Sequence, residues 1–166
     1  MNRYLLIIFL LVTLCFSQIN QIPNFSFKQM DGKNNSIDSL LVKGPVLVDF
    51  WALWCLPCLK EMRYLNELHQ KYSERGFTIL TINQDSPKSL SKVRAHIRSK
   101  KYTFLVAMDP NQQIAQKLNA KLLPTTMLVA QNGQIIWRHQ GYIPGDEVEI
   151  EHQIIQALET DVTPAK

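Results

Sequence analysis

Two cysteines separated by two residues, in the segment Cys55-Leu56-Pro57-Cys58, are the side chains of this sequence best suited to covalent chemistry. Two thiols at this spacing can form and break a disulfide with each other. The apolar run Val46–Trp51 before them predicts a buried strand, and the residues after Cys58 predict a helix. Unpaired N–H groups and the helix dipole stabilise a thiolate at a helix N-terminus. We therefore predict that Cys55 attacks a disulfide and that Cys58 resolves the mixed disulfide.

The same cysteine pair has two other interpretations, a structural disulfide or half of a metal site. A loop this small gains little chain-entropy stabilisation from a cross-link, which disfavours a structural role. A metal site needs two further ligands, and the histidines show no recognisable ligand spacing; they are His69, His96, His139 and His152. We therefore expect a redox-active pair with no metal and no cofactor.

Length and composition limit the remaining classes of function. The chain has 166 residues, enough for one domain, with 46% apolar and 19% charged residues. Its formal charge of +4 is too small to indicate nucleic-acid binding by itself. The sequence contains no Gly-rich phosphate loop, zinc-finger spacing or tandem repeat. We expect no nucleic-acid partner.

The N-terminus predicts export. Arg3 is followed by residues 4–16, which are apolar apart from Thr13. This pattern is typical of a signal peptide, and the segment is shorter than the roughly 20 residues of a membrane span. We predict a signal peptide over residues 1–17 and a mature domain over residues 18–166, located in the periplasm or cell envelope. An uncleaved anchor at residues 4–16 and lipidation of Cys15 are the alternatives.

The remaining patterns predict an α/β layer structure. Expected strands cover residues 46–51, 77–83, 102–108, 125–130 and 134–139, and Phe25 and Phe27 indicate a short edge strand. Asn132-Gly133 predicts a hairpin between the last two strands. Expected helices start near Cys55 or Pro57, after Ser86, at Asp109-Pro110 and at Asp146. This order places the cysteine pair at the carboxyl end of a central strand.

Several segments together resemble one known family. Residues 48–58 resemble the thioredoxin active-site segment. Glu61, residues 22–33 and the segment Leu123-Pro124-Thr125-Thr126 are similar to the TlpA/ResA/DsbE-type exported thiol-disulfide oxidoreductases. The resemblance spans residues 22–158 and implies a thioredoxin fold: a central mixed β-sheet flanked by helices, with an N-terminal extension and an inserted βα-type segment.

The resemblance also implies roles for two carboxyl groups. Asp49 would lie buried beneath Cys58 and take the proton of the resolving thiol; the alternative is a hydrogen-bonded aspartate at a strand end. Glu61 would tune the cysteine pair or contact substrate, and its alternative is a solvated helix residue. Two departures from the family bear on this site. Arg63 replaces a helix-kinking proline, and Thr81 stands where thioredoxin has a lysine.

Four residues are expected at a substrate-binding surface. By resemblance, Pro124 is cis and exposes the backbone of Leu123 for pairing with an extended substrate segment. Trp54 and Pro57 flank the cysteines, and Trp54 would cover the active-site surface or pack inward. Six basic residues between 86 and 108 predict a solvated helix face rather than a docking patch; they are Lys88, Lys92, Arg94, Arg98, Lys100 and Lys101.

The resemblance implies an extracytoplasmic enzyme that reduces protein disulfides. A proline directly before the second cysteine, here Pro57, is similar to the reducing members of the family. The two residues between the cysteines include no histidine. Relatives reduce apocytochrome c, and a membrane electron-donor protein recharges them; we expect both kinds of partner and a monomeric protein. The alternatives are a disulfide-forming oxidase and a non-enzymatic binding module. A peroxiredoxin is disfavoured, because the sequence around Cys55 does not resemble a peroxidatic loop.

Overall fold

The computed structural model describes residues 20–160, so the predictions for the leader at residues 1–17 lie outside the described residues. The strands are β1 (Ser26–Lys28), β2 (Asn34–Ser36), β3 (Val46–Trp51), β4 (Thr78–Asn83), β5 (Leu105–Met108), β6 (Thr125–Val129) and β7 (Ile135–Gln140). The helices are α1 (Ile37–Leu41), α2 (Leu56–Tyr72), α3 (Leu90–Lys100), α4 (Gln113–Lys117) and α5 (Asp146–Thr160). Short 3-10 turns occupy Ser73–Arg75 and Pro87–Ser89.

A five-stranded mixed sheet forms the centre of the fold. Its strand order is β5-β4-β3-β6-β7, with β3, β4 and β5 parallel and the pairs β3–β6 and β6–β7 antiparallel. All six residues of β3 are buried, as the apolar run predicts. In the register of the sheet, Asp49 lies between Thr81 on β4 and Thr126 on β6. This position brings polar side chains from three strands to one place in the core.

Alternate residues of β3 pack into two different cores, because successive strand side chains point to opposite faces. Leu47 and Trp51 pack in a core with residues of α2, α3 and α5. Val46, Val48 and Phe50 pack on the other side, against α1, α4 and the N-terminal segment. Asp49 shares the parity of Leu47 and Trp51, so its carboxyl group points towards the layer that contains α2.

The N-terminal extension contains the short strand that Phe27 predicts. This strand, β1, pairs with β2 in a two-stranded sheet. The residues that follow β1 bridge to the edge strand β5 of the central sheet, where the Met30 N–H donates to the Val106 carbonyl at 2.9 Å. The five-residue helix α1 follows, and it was not predicted because so short a helix shows no clear apolar period. Ser36 and Ser39 close its N-terminus with reciprocal side-chain to backbone bonds, a capping box.

Two other element boundaries also differ from those predicted. Lys101 ends α3 in a left-handed conformation, with φ 55°, and β5 begins only at Leu105. Helix α4 begins at Gln113 instead of Asp109, whose buried carboxyl group accepts the Ala115 N–H at 2.9 Å. All six basic side chains between residues 86 and 108 are exposed, which agrees with both a solvated face and a docking patch, so the preference for a solvated face stays a prediction.

Candidate active site

The cysteine pair lies where β3 ends and α2 begins. Cys55 and Cys58 form a disulfide with an S–S distance of 1.98 Å and a Cα–Cα distance of 5.3 Å. Cys55 is the N-cap residue of α2, and its sulfur accepts the backbone N–H of Cys58 at 3.3 Å. Cys55 keeps 5% of its surface exposed, whereas Cys58 is fully buried. When the pair is reduced, Cys55 is therefore the thiol that a substrate can reach and that the helix N-terminus can stabilise as a thiolate.

A buried carboxylate holds the loop that leads into the cysteines. Asp85 Oδ2 accepts the backbone N–H of Leu53 and the side-chain amide of Asn83, each at 2.8 Å. Asn83 Oδ1 in turn accepts the Asp85 N–H at 3.0 Å. The sequence reasoning missed Asp85. Its position directly after β4, the parallel neighbour of β3, was the available signal, because carboxyl ends of parallel strands meet at one edge.

Asp49 and Glu61 meet at one hydroxyl group beneath the cysteine pair's helix. Both carboxyl side chains are fully buried. Thr126 Oγ1 lies 2.8 Å from Glu61 Oε1 and 3.4 Å from Asp49 Oδ1. The second oxygen of each carboxyl group, Asp49 Oδ2 and Glu61 Oε2, has no hydrogen-bond partner. The burial of Glu61 contradicts the solvated alternative and leaves no surface of this side chain for a substrate to contact.

Burial sets the protonation of these two carboxyl groups. Removal from water raises the pKa of Asp49 to about 7, and the hydrogen bond from Thr126 opposes this shift. Removal from water raises the pKa of Glu61 to about 9, with a further increase from the nearby charge of Asp49. Two like charges this close in a dry site are strongly disfavoured. The pair therefore holds at least one proton at neutral pH and can exchange a proton near that pH.

The loop before β6 packs against the core that contains the cysteine pair, through Leu123. The peptide bond between Leu123 and Pro124 is cis, as the resemblance implies. Thr125 Oγ1 donates to the Leu122 carbonyl at 2.6 Å, and the Pro124 carbonyl accepts the N–H of Gly141 at 2.9 Å. The first bond lies within the cis-proline loop, and the second joins this loop to the segment between β7 and α5. Leu123 is half-buried and Pro124 is buried.

Several apolar side chains remain exposed around the cysteines. Trp54 and Leu56 each keep 70% of their surface exposed, and Pro57 is also exposed. The exposure of Trp54 contradicts the alternative that it packs inward, whereas Trp51 is fully buried in the core. Leu122, before the cis proline, and Ile143, after β7, are exposed as well. The active-site end of the molecule therefore presents an apolar surface to a partner.

The positions that depart from the family pattern have plain structural roles. Thr81 is buried beside Asp49 in the sheet, and its hydroxyl donates to the Leu105 carbonyl at 3.2 Å. Asp49 therefore has no cationic neighbour at this position. Arg63 lies within the continuous helix α2.

The described residues include neither a metal-ligand cluster nor a membrane-spanning helix. Within residues 20–160, no three His, Cys, Asp or Glu side chains come together as ligands for a metal ion. In the same part of the chain, no helix has both the length and the apolar character needed to cross a membrane.

The fold and the site together define the class of thioredoxin-fold thiol-disulfide oxidoreductases. The chain belongs to the Redoxin family, whose sequence profile matches residues 18–154. It is 32% identical to the thiol-disulfide oxidoreductase ResA of Bacillus cereus over 127 residues, 76% of this chain and 72% of the relative. It is also 32% identical to ResA of Geobacillus kaustophilus over 128 residues, 76% of this chain and 71% of the relative.

A solved structure supports the same assignment. The chain superposes with a TM-score of 0.77 on a Chlorobium tepidum protein assigned as the thiol:disulfide interchange protein DsbE. The match has 29% sequence identity and covers 84% of this chain and 96% of that chain. The protein is thus an enzyme, a thiol-disulfide oxidoreductase of the ResA and DsbE type, and the predicted family and fold are confirmed.

Proposed function

We propose that this enzyme works outside the cytoplasm as a reductant of protein disulfides. The pair of buried carboxyl groups, Asp49 and Glu61, supports the thiol exchange itself, and the reducing direction rests on Pro57 and on the absence of a histidine between the two cysteines. A dithiol that donates electrons must lose the proton of its resolving thiol, and a buried carboxylate near neutral pKa can accept that proton. The leader predicted at residues 1–17 supports export.

The reaction begins at Cys55. Its thiolate attacks one sulfur of a substrate disulfide, and the substrate's S–S bond breaks as a mixed disulfide forms. The substrate thiolate that leaves takes a proton from solvent. Trp54, Pro57 and the backbone of Leu123 beside cis Pro124 hold the substrate segment against the attacking sulfur.

The second step closes the Cys55–Cys58 disulfide. Cys58 gives its proton to Asp49 and attacks the sulfur of Cys55, which releases the second substrate sulfur as a thiolate that takes a proton from solvent. The enzyme has then lost two electrons and the substrate has gained them. Asp49 passes its proton on, and Thr126 links Asp49 to Glu61, which stays protonated and limits the charge in the site.

An oxidised enzyme needs a new supply of electrons. We propose a membrane electron-donor protein for this step and apocytochrome c cysteines as one class of client, both by similarity to the family. The enzyme acts as a monomer, and residues 4–16 would serve as a tether if the leader is retained. No cofactor takes part, because the cysteine pair itself carries the electrons.

The proposal is tested by turnover of insulin disulfides with dithiothreitol as the electron source. The wild-type protein should accelerate reduction, Cys55→Ser should abolish the acceleration, and Cys58→Ser should trap a mixed disulfide. Equal rates for the wild type and Cys55→Ser would leave only a binding module. The exported protein should begin near Gln18, whereas an intact Met1 would replace the signal peptide with an anchor.

A further inference from the structure

A groove lined by two tyrosines runs along helix α2 from Leu56, the residue after the attacking cysteine. It encloses about 430 Å³. One wall consists of α2 residues that recur at helical spacing, and the other is formed by Tyr142 and Pro144 from the loop between β7 and α5; the α2 residues are Leu56, Leu59, Lys60, Arg63 and Tyr64. The rings of Tyr64 and Tyr142 lie 6.3 Å apart. Leu56 lines the groove and directly follows Cys55 in the sequence, so this end of the groove lies next to the site of sulfur exchange.

The groove carries two cations that the described part of the chain does not neutralise. Lys60 and Arg63 are exposed, and neither forms an ion pair within residues 20–160. The guanidinium of Arg63 lies 5.3 Å from the centre of the Tyr64 ring, which fixes it at the groove's edge. The rim is therefore positive above an apolar floor.

Two acidic residues at the start of α5, directly after the facing loop, form hydrogen bonds with that loop and with β7. Glu147 Oε2 accepts the Tyr142 hydroxyl at 2.6 Å and the Gly145 N–H at 2.9 Å. Asp146 Oδ2 accepts the Ile143 N–H at 2.9 Å and lies 3.2 Å from His139 Nε2. These bonds hold the loop in shape and keep both carboxylates away from the role of counter-ion to Lys60 and Arg63.

We propose that this groove binds the segment next to the disulfide cysteine of a substrate protein, and that it selects a segment with apolar side chains and a carboxylate. The inference rests on the proposed reaction at Cys55 and adds the class of sequence that the enzyme prefers. Charge complementarity favours an acidic segment in the groove. A carboxylate is attracted by Lys60 and Arg63 at the rim, whereas a basic side chain is repelled by them.

The geometry of α2 sets where the carboxylate must lie. At a rise of about 1.5 Å per residue, Lys60 and Arg63 lie roughly 7.5 and 12 Å along the helix from Cys55. An extended peptide advances about 3.3 Å per residue. The preferred aspartate or glutamate is therefore about two to four residues from the substrate cysteine.

Two synthetic peptides test this preference. Each has one cysteine as a 2-thiopyridyl mixed disulfide, with either glutamate or lysine two and four residues away on both sides and leucine between them. Stopped-flow absorbance of released 2-thiopyridone gives the rate constant for the reduced enzyme. The ratio between the peptides is used, because the reactivity of Cys55 itself cancels. Surface ion pairs of ordinary strength predict that the glutamate peptide reacts about tenfold faster than the lysine peptide at low salt. This ratio of rate constants should fall as added NaCl screens the charges.

Charge-reversal variants test whether Lys60 and Arg63 cause the preference for the acidic peptide. Lys60→Glu/Arg63→Glu should bring the ratio to one or below. Lys88→Glu/Lys92→Glu makes the same change in net charge on the exposed face around α3 and should keep the wild-type ratio. Equal rates for the two peptides, or an equal loss of preference in both double variants, would overturn the groove proposal while the reductase function stands. If the reduced enzyme fails even with neutral 2,2′-dithiodipyridine, the proposed function fails and the groove proposal with it.

Discussion

The hydroxyl group of Thr126 on β6 lies 2.8 Å from the carboxyl group of Glu61 on α2, inside the protein. The same hydroxyl is 3.4 Å from Asp49 on β3, so one oxygen joins two carboxyl groups from different elements. A hydroxyl has one hydrogen to donate, and it can satisfy only one ionised carboxylate fully. The arrangement favours a state in which one carboxyl group is protonated while the other is ionised.

Replacing Thr126 with valine keeps the shape of the side chain and removes this link. The variant should lose about 1.5–3 kcal/mol of unfolding free energy at pH 8, because the hydroxyl group's hydrogen bond to the ionised carboxylate of Asp49 disappears while Glu61 stays largely protonated. The loss should be smaller at pH 5, where Asp49 and Glu61 are both protonated in the folded state. Urea unfolding at the two pH values measures both effects.

Thr81→Val is the matched control for this change. Thr81 is buried in the same sheet, but its hydroxyl donates to the neutral Leu105 carbonyl. Its loss should be about 0.5–1.5 kcal/mol and the same at both pH values. Equal losses and equal pH dependence for the two variants would mean that Thr126 has only an ordinary packing role.

The raised pKa values of the two carboxyl groups predict how stability changes with pH. In the unfolded chain the two carboxyl groups have ordinary pKa values of 3.8 and 4.5, whereas in the folded protein the pKa values are about 7 and about 9. At pH values between these two sets, the folded protein therefore binds more protons than the unfolded chain. The stabilisation from this pair is therefore complete at low pH and is lost as pH rises through that window.

Asp49→Asn/Glu61→Gln removes both titrations and keeps the side-chain shapes. Its unfolding free energy should change less between pH 5 and pH 9 than that of the wild type, and the variant should be relatively more stable at pH 9. Urea titrations across this range give the comparison. Parallel profiles for the two proteins would show that the carboxyl groups titrate normally.

Asp49→Asn should separate the two chemical steps. Attack by Cys55 needs no proton acceptor beyond the thiolate, whereas resolution requires Cys58 to lose its proton. The rate constant of the first step should stay within about threefold of the wild-type value. The rate constant of the second step should fall by about 100-fold, the lower end of the effect of a general base. Rapid acid quenching and mass spectrometry would show the mixed disulfide accumulating. Unchanged kinetics of both steps would reduce Asp49 to a structural residue.

The two thiols should also differ in reactivity. Cys55 is the N-cap residue and is partly accessible, whereas Cys58 is fully buried. In the reduced protein, iodoacetamide at pH 7 should therefore modify Cys55 at least tenfold faster, because alkylation follows thiolate character and access. Peptide mapping after short exposure measures the two rates. Equal labelling would remove the assignment of Cys55 as the attacking thiol.

Local pattern was sufficient for the parts of the site that lie close together in sequence. The apolar run over β3 and the spacing of the cysteines predict the strand, the start of α2 and the attacking thiol. The burial of Glu61 also had a signal, because Cys58, Glu61, Met62 and Leu65 fall on one helical face. The cis bond at Pro124 came from the family resemblance alone.

The contacts between distant segments could not be predicted in this way. Thr126 is 77 residues from Asp49, and only the antiparallel register of β3 and β6 brings them together. Asp85 reaches the loop at Leu53 for a similar reason, through the neighbouring strand β4. The helix α1 depends on a serine capping box and on burial against the sheet instead of on its own five-residue pattern.

The direction of electron flow is tested most directly by the reduction potential of the Cys55–Cys58 pair. Equilibration with a glutathione or dithiothreitol series, followed by alkylation of free thiols, gives the value. The account predicts a potential of about −250 mV or lower, close to thioredoxin at about −270 mV, as suits a reductant of protein disulfides. A potential near −120 mV, that of a strong oxidant, would contradict it and assign the enzyme to disulfide formation.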